Sequence, residues 1–159
     1  MAELLEQDWI KQLEEQKRKL ENQQEKIEEL TLKQSDIIRD YLKKFDGVIN
    51  WYIKNRMYFY HPSIQYNSRR GPILGFLEGE EADELIVYNA QQQEIILIDV
   101  STGDEKTGSP FLIAQQGQFK NAIDGLCFLL ENQNEVIEEQ AKSISEMEEE
   151  IEGAEFQIF

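Results

Sequence analysis

A seven-residue repeat of apolar side chains near the C-terminus constrains this chain more than any other feature. The first series of the repeat contains Ile123, Leu130, Ile137, Ile144 and Ile151. A second series, three residues further on in each repeat, contains Leu126, Gln133, Gln140 and Met147. Two such series are typical of the a and d positions of a coiled coil. We therefore predict a helix over residues 119–152 whose apolar seam must be buried by a partner helix.

The N-terminal third carries the same repeat. Residues 2–53 contain no proline, and Leu13, Leu20 and Ile27 recur at intervals of seven. The accompanying d series consists of Trp9, Gln16, Gln23 and Leu30. From Ile27 to Ile38 the apolar step is eleven residues, which resembles a stutter that relaxes the supercoil. One long helix over residues 2–53 is the prediction.

The two predicted helices can be aligned against each other. Asp46-Gly47 and Asp124-Gly125 lie at their inner ends, and glycine allows close approach of two backbones. An antiparallel hairpin with these dipeptides together gives one register, which pairs Ile49 with Ile123, Leu42 with Leu130, Ile27 with Ile144 and Leu20 with Ile151. We favour this pairing within one chain, and a parallel homo-oligomer is the alternative. The seam glutamines either restrict register and partner number or are tolerated in a partly wet seam.

The coiled-coil interface predicted from both helices is defined by their apolar seam residues. It comprises Leu13, Leu20, Ile27, Leu30, Ile38, Leu42, Ile123, Leu130, Ile137, Ile144, Met147 and Ile151.

The middle of the chain changes from a helical period to short apolar runs separated by turn residues. We predict extended segments over residues 57–61, 73–77, 84–89, 94–100 and 110–114, with a polar loop over 101–108. Such runs favour an antiparallel β-meander covered on one face by the inner ends of the helices. The fold class is thus α+β, divided into an N-terminal helix (1–53), a β domain (54–118), a C-terminal helix (119–153) and an apolar tip (154–159).

Charge and cysteine content exclude several classes of protein. The net charge of −16 argues against general binding of nucleic acid or anionic membranes, although it allows imitation of nucleic acid. No apolar run approaches the roughly 20 residues that span a bilayer, and the charged N-terminus does not resemble a secretory signal. Cys127, the only cysteine, lies between apolar residues, and we expect it to be buried.

A second set of residues suggests contact with a partner. Basic residues interleave with aromatic ones between Gln34 and Arg70, a pattern that binds single-stranded nucleic acid in some proteins, packs as core in most, and also suits an acidic protein surface. The acidic C-terminus ends in an apolar tip, which either packs back on Trp9 and Leu13 in the antiparallel register or is a frayed end. The candidate contacts are Lys43, Lys44, Arg56, Arg69, Arg70, Phe156 and Phe159.

No residue pattern indicates a reaction, a cofactor or a metal. His61 is the only histidine, and the acidic segment 78–84 lacks the alternating ligands of a calcium loop. No combination of nucleophile, base and acid can be identified. We expect a chain that is not an enzyme and binds no cofactor.

The function expected from these patterns is that of a homo-oligomeric structural or adaptor protein with an unidentified protein partner. A phage or other mobile element would suit such a chain, which would then be cytoplasmic or part of a virion. The alternative is an acidic mimic of nucleic acid that inhibits a DNA-handling protein, because ten glutamates lie between Glu131 and Glu155 against the single Lys142. The helix–β–helix order also resembles prefoldin subunits, which implies a chaperone, and an accessory protein for single-stranded nucleic acid is a further alternative.

Overall fold

The structure, a computed structural model, describes residues 2–158 apart from the side chain of residue 158. Its helices are α1 (Ala2–Lys44), α2 (Asp46–Lys54), α3 (Pro110–Gln115) and α4 (Phe119–Ile158). Its strands are β1 (Phe59–Tyr60), β2 (Asn67–Ser68), β3 (Ile73–Leu77), β4 (Glu84–Asn89), β5 (Glu94–Asp99) and β6 (Glu105–Thr107). Two long terminal helices with a small antiparallel sheet between them confirm the predicted α+β fold class.

The N-terminal helical region is interrupted at Phe45, so the prediction of one helix over residues 2–53 is wrong there. Phe45 has φ −87° and ψ 0°, outside the helical range, although the Ile49 N–H still donates to its carbonyl at 2.9 Å. Its ring stacks on Tyr41 with centroids 6.0 Å apart and packs against the core. The break thus lets a half-buried aromatic ring and the following helix contact the sheet domain.

The end of α2 is fixed by a Schellman motif that uses arginine where glycine is usual. Arg56 has a φ of 54°, its N–H donates to the Ile53 carbonyl, and the Met57 N–H donates to the Tyr52 carbonyl. These bonds satisfy the last carbonyls of α2 and turn the chain into β1.

The four-stranded sheet has the simple order β3-β4-β5-β6, and every neighbouring pair is antiparallel. β4 and β5 are joined by a tight turn, with Val87 opposite Ile96, and Gln93 takes a φ of 55° in that turn. β6 lies within the segment predicted as a loop. Its three residues are all exposed, so this edge strand carries no apolar alternation that would reveal it in the sequence.

Residues 110–114 form α3, so the prediction of a last strand there is wrong. The Ser109 side chain accepts a hydrogen bond from the Leu112 N–H at 3.1 Å, and Pro110 follows at the first helical position. Both are start signals for a helix, and they outweigh the short apolar run that suggested a strand.

The main core lies between one face of the sheet and the inner ends of the long helices. Leu74, Ile86 and Leu97 of the sheet belong to one buried cluster with Ile38 and Leu126 of α1 and α4. The opposite sheet face forms a smaller cluster around Ile73 and Val87, against which Ile64 packs. The predicted cover of the meander by the helices is therefore present.

Gly125 allows α4 to approach the sheet, whereas the predicted glycine crossing between the two helices is absent. A Cβ at Gly125 would collide with the Ile73 carbonyl oxygen and lie 2.8 Å from Cδ2 of His61. A Cβ at Gly47 would have no atom within 4 Å. The close approach is thus between α4 and β3.

α4 continues through Gly153 to Ile158, so the predicted break before the tip is wrong. A single glycine destabilises a helix by about 1 kcal/mol relative to alanine. The neighbouring glutamates and Ala154 have high helix propensity, so the helix continues through Gly153.

Candidate interaction surface

The outer parts of the two long helices bury almost nothing in the single chain. We call residues 2–30 the outer arm of α1 and residues 137–157 the outer arm of α4, and every residue in both is exposed. Leu20 is 61% exposed and Ile151 is 57% exposed, so the intrachain contact predicted between them is absent. The other outer-arm pair, Ile27 and Ile144, is exposed to a similar degree. Within one chain the arms therefore leave their seams open.

The chain's own packing of α4 uses a stripe next to the predicted seam. Ala122, Leu126 and Leu129 are buried, and Gln133 and Val136 continue that stripe half-buried. Only Leu126 and Gln133 belong to the predicted seam, because the other three lie one position before its a series. The sheet domain thus occupies one side of α4 and leaves Leu130, which is 43% exposed, and the later a residues uncovered.

On α1 a comparable shift separates the buried stripe from the seam. Ser35, Ile38 and Leu42 are buried, whereas Ile37 is 41% exposed. Ile38 and Leu42, predicted as coiled-coil interface, are instead part of the domain core. The change of apolar phase after Leu30 therefore marks the point where α1 enters the sheet domain.

The surface left open is a long apolar stripe on each arm. Its large side chains, each at least 45% exposed, include Leu13, Leu20, Ile27, Leu30, Ile137, Ile144, Met147 and Ile151. Large apolar side chains exposed in a row on one face are typical of an interaction site in a folded protein.

The two arms differ strongly in charge. The outer arm of α4 carries eight glutamates against Lys142, whereas the outer arm of α1 mixes acidic and basic residues. Lys26 and Lys33 each lie beside Glu29, with Nζ–Oε distances of 3.6 and 3.3 Å, and both lower the pKa of its carboxyl. Such exposed ion pairs contribute little to stability, so these lysines can form ion pairs with other carboxylates at little cost.

The basic residues predicted to contact a partner are all exposed, and several already have a partner within the chain. Lys44 lies 3.0 Å from Asp40, which raises the pKa of the lysine. Arg70 forms an ion pair with Glu105. These residues are spread over α1, the end of α2 and the turn before β3, and they do not form one compact patch.

The interleaved aromatic residues divide into buried and exposed ones. Tyr52 and Phe59 are buried and stack with centroids 4.9 Å apart, and the Tyr52 hydroxyl donates to the Leu129 carbonyl at 2.6 Å. Burial raises the pKa of Tyr52. Tyr58 is partly exposed, with the Arg69 guanidinium 4.5 Å from its ring centre. Tyr60 and Tyr66 are also exposed, at 46% and 42%, and Tyr66 stacks on Phe76.

The C-terminal tip does not pack on the start of α1. Phe156 is 85% exposed and Trp9 is 64% exposed, which contradicts the predicted contact of the tip with Trp9 and Leu13. Phe159, also predicted as a contact, lies outside the described residues.

His61 is held between α4 and the loop after β1. Its Nε2 donates to the Asn121 carbonyl at 2.7 Å, and its Nδ1 accepts from the Ser63 N–H at 3.1 Å. Burial lowers the pKa of His61, partly offset by the Asn121 carbonyl and by Asp124. A neutral imidazole with both nitrogens occupied joins two segments of the fold and has no free atom for chemistry.

Cys127 is exposed on α4, so the prediction of a buried thiol is wrong. Its neighbours Leu126 and Leu129 face the core, and at 100° per residue the position after Leu126 turns toward solvent. Apolar residues next to Cys127 in the sequence therefore did not predict whether Cys127 itself is exposed.

One open cavity of about 540 Å³ lies between the end of α1 and the β5–β6 edge. Two cations, Arg39 and Lys43, and two carboxylates, Asp46 and Glu94, surround the apolar Ile95. This balance of charge selects no ligand class, and no nucleophile is paired with a base there.

Comparison with known proteins adds no relative: no family model, curated protein or solved structure matches the chain. Over residues 2–158, no helix is both long and apolar enough to cross a membrane. In the same part of the chain, no three His, Cys, Asp or Glu side chains come together as a metal site requires. The open apolar seams are the feature that most strongly suggests a function.

Proposed function

We propose that this chain is a non-catalytic structural or adaptor protein that assembles with itself through its outer arms. The observation that carries the proposal is the apolar stripe repeated every seven residues on both arms, open along its whole length in the single chain. Full burial of a Leu or Ile side chain is worth about 1.5–3 kcal/mol, so several such positions along one stripe favour association strongly.

Association would also stabilise the arms as helices. Most helical stability in proteins comes from packing of an apolar face and not from intrinsic propensity. Every residue of the outer arms is exposed in one chain, and their exposed ion pairs, such as Lys17 with Glu21, contribute little. Self-association would supply the missing packing.

The first test places charges in the seam. Replacing Ile137 and Ile144 with Asp should dissociate the oligomer and reduce helicity, because each substitution places a carboxylate in a buried apolar site. Light scattering would report mass, and circular dichroism would report helicity. Lys142→Asp with Ser145→Asp is the matched control on the opposite face, and this variant should keep its mass.

Two results would contradict the proposal. A wild-type chain that is monomeric at every accessible concentration would remove self-association. Equal behaviour of the seam variant and its control would show that the seam is not the contact.

A second candidate, an acidic mimic of nucleic acid, is favoured by the exposed glutamates of the α4 outer arm. A mimic competes with duplex DNA for its protein target, and its affinity falls as salt screens the contact. Replacing Glu138, Glu139, Glu148 and Glu149 with Gln should abolish that competition. An adaptor would keep its partner after these changes and at high salt.

A further inference from the structure

We infer that the outer arm of α1 pairs in parallel with the outer arm of α4 from a second copy of this chain, in a reciprocal two-fold dimer. This inference rests on the proposed self-association and specifies its partner, direction and register. Three observations carry it: the match of the two seams, the charges beside them, and the geometry of the single chain.

The seams match at a single offset of 117 residues. At this offset the a positions pair Leu13 with Leu130, Leu20 with Ile137 and Ile27 with Ile144, and the d positions pair Gln16 with Gln133, Gln23 with Gln140 and Leu30 with Met147. Apolar residues thus meet apolar residues, and each glutamine meets a glutamine that can satisfy its amide. In the intrachain antiparallel register, by contrast, the glutamines of one arm do not meet those of the other.

The flanking charges select the same pairing. In a parallel coiled coil, a g residue faces the e residue five positions further along on the partner. The g positions of α1 include Lys26 and Lys33, and this rule places them beside Glu148 and Glu155. A parallel pair of two α4 arms would instead place Glu150 beside Glu155, and a parallel pair of two α1 arms would leave the lysines without carboxylates.

The partner arm must come from another copy. Ile38 of α1 and Ala122 of α4 lie in one hydrophobic core. The parallel register would place Leu5 beside Ala122, yet Leu5 is about 50 Å from Ile38 along a helix that rises 1.5 Å per residue. A single straight α1 cannot hold Ile38 in the core next to Ala122 and also place Leu5 beside Ala122. The α1 of a second copy, which runs in the opposite direction, can supply the arm that pairs with α4.

The faces available on α1 suit this arrangement. Its inner buried stripe follows Ser35, Ile38 and Leu42, and its open seam follows Leu13, Leu20 and, further on, the exposed Ile37. In the heptad frame that places Leu13 and Leu20 at a and Ile37 at d, Ile38 falls at e and Ser35 and Leu42 fall at b. The buried stripe therefore lies beside the a/d seam, as expected for a helix with two neighbours in a bundle. Because each copy offers one arm of each kind, two copies close both seams at once.

Cysteine cross-linking tests the register. In a Cys127→Ala background, chains with Leu20→Cys are mixed with chains carrying Ile137→Cys and then oxidised. The inferred register predicts a disulfide heterodimer between the two variants, and little cross-linking of either variant alone. The control mixture pairs Leu20→Cys with Ile151→Cys, which lies about 21 Å further along the arm and should not react.

Charge exchange tests the partner's identity. One variant carries Lys26→Glu and Lys33→Glu, and the other carries Glu148→Lys and Glu155→Lys. Each alone should dissociate at least tenfold more readily, whereas an equimolar mixture should recover association, because both seams of the mixed dimer regain opposite charges. Lys11→Glu with Arg18→Glu, mixed with Glu135→Lys and Glu149→Lys, is the matched control at outward positions, where neither loss nor recovery is expected.

The outcomes separate this inference from the broader proposal. A monomeric wild-type chain would overturn both. An oligomer in which Leu20→Cys cross-links to itself, or in which the mixed charge variants do not recover, would keep self-association and overturn the parallel α1–α4 pairing.

Discussion

Gly125 shows how one residue sets the distance between α4 and the sheet. Its missing side chain leaves room for the Ile73 carbonyl oxygen and the His61 ring, which lie where a Cβ would stand. Three segments of the fold therefore meet at this position, and His61 adds a hydrogen bond from the loop after β1 to Asn121.

Gly125→Ala should lower the free energy of unfolding by about 1–3 kcal/mol, because the added methyl group forces α4 away from β3. Thermal unfolding followed by circular dichroism would measure the change. Gly47→Ala is the control, since a Cβ there meets no atom within 4 Å, and it should leave stability unchanged or raise it by up to about 1 kcal/mol. Equal losses in both variants would contradict the account of the close approach.

At the scale of elements, helix capping explains why short segments depart from their apolar pattern. Residues 110–114 have the composition of a strand, yet Ser109 and Pro110 start a helix there, and Ile113 and Ala114 become part of its buried face. β6 is an opposite case, because it consists of exposed residues and is a strand only through its pairing with β5. The secondary structure of a short segment thus depends on a helix cap or on a neighbouring strand as much as on its own side chains.

The long helices divide into inner and outer parts with different physical roles. The inner parts, such as Ile38 on α1 and Leu129 on α4, are fully buried in the core of the β domain. The outer parts are exposed helices with one apolar stripe each. The change in phase between the two stripes lets a single helix pack on the domain at one end and leave an apolar face exposed at the other.

For the whole molecule, this division predicts two separable unfolding events. Under the proposed self-association, the stability of the outer arms depends on protein concentration, whereas the core is intramolecular. Dilution should therefore reduce helicity at 222 nm while the sheet domain stays folded. Trp51, half-buried against the core, reports on the domain once Trp9 on the outer arm is replaced with Phe.

The measurement compares both signals over a dilution series of the Trp9→Phe chain. Loss of helicity with constant Trp51 fluorescence is the expected outcome. Coincident changes in both signals would show that arms and domain form one cooperative unit, and no change in either would show that the arms need no partner.

The sequence alone determined the long helices, the α+β class and the central strands, because helical and strand periods are local properties that many consecutive side chains repeat. It also indicated which side chains form the apolar stripe of each outer arm, since Leu20 and Ile137 belong to series that recur every seven residues. Their exposure in the single chain was not predictable, because burial depends on which other surface approaches.

Only the tertiary structure decided where each long helix changes from an exposed apolar stripe to a stripe buried in the core. The sheet domain packs on a stripe beside the seam, which places Leu129 inside and leaves Leu130 partly outside, and the heptad pattern alone does not distinguish them. The position of Cys127, the role of Gly125 and the fold of residues 110–114 were likewise decided by packing and capping. The physical reason is the same in each case: periodicity shows that a face is apolar, but only the arrangement of the other elements shows what covers it.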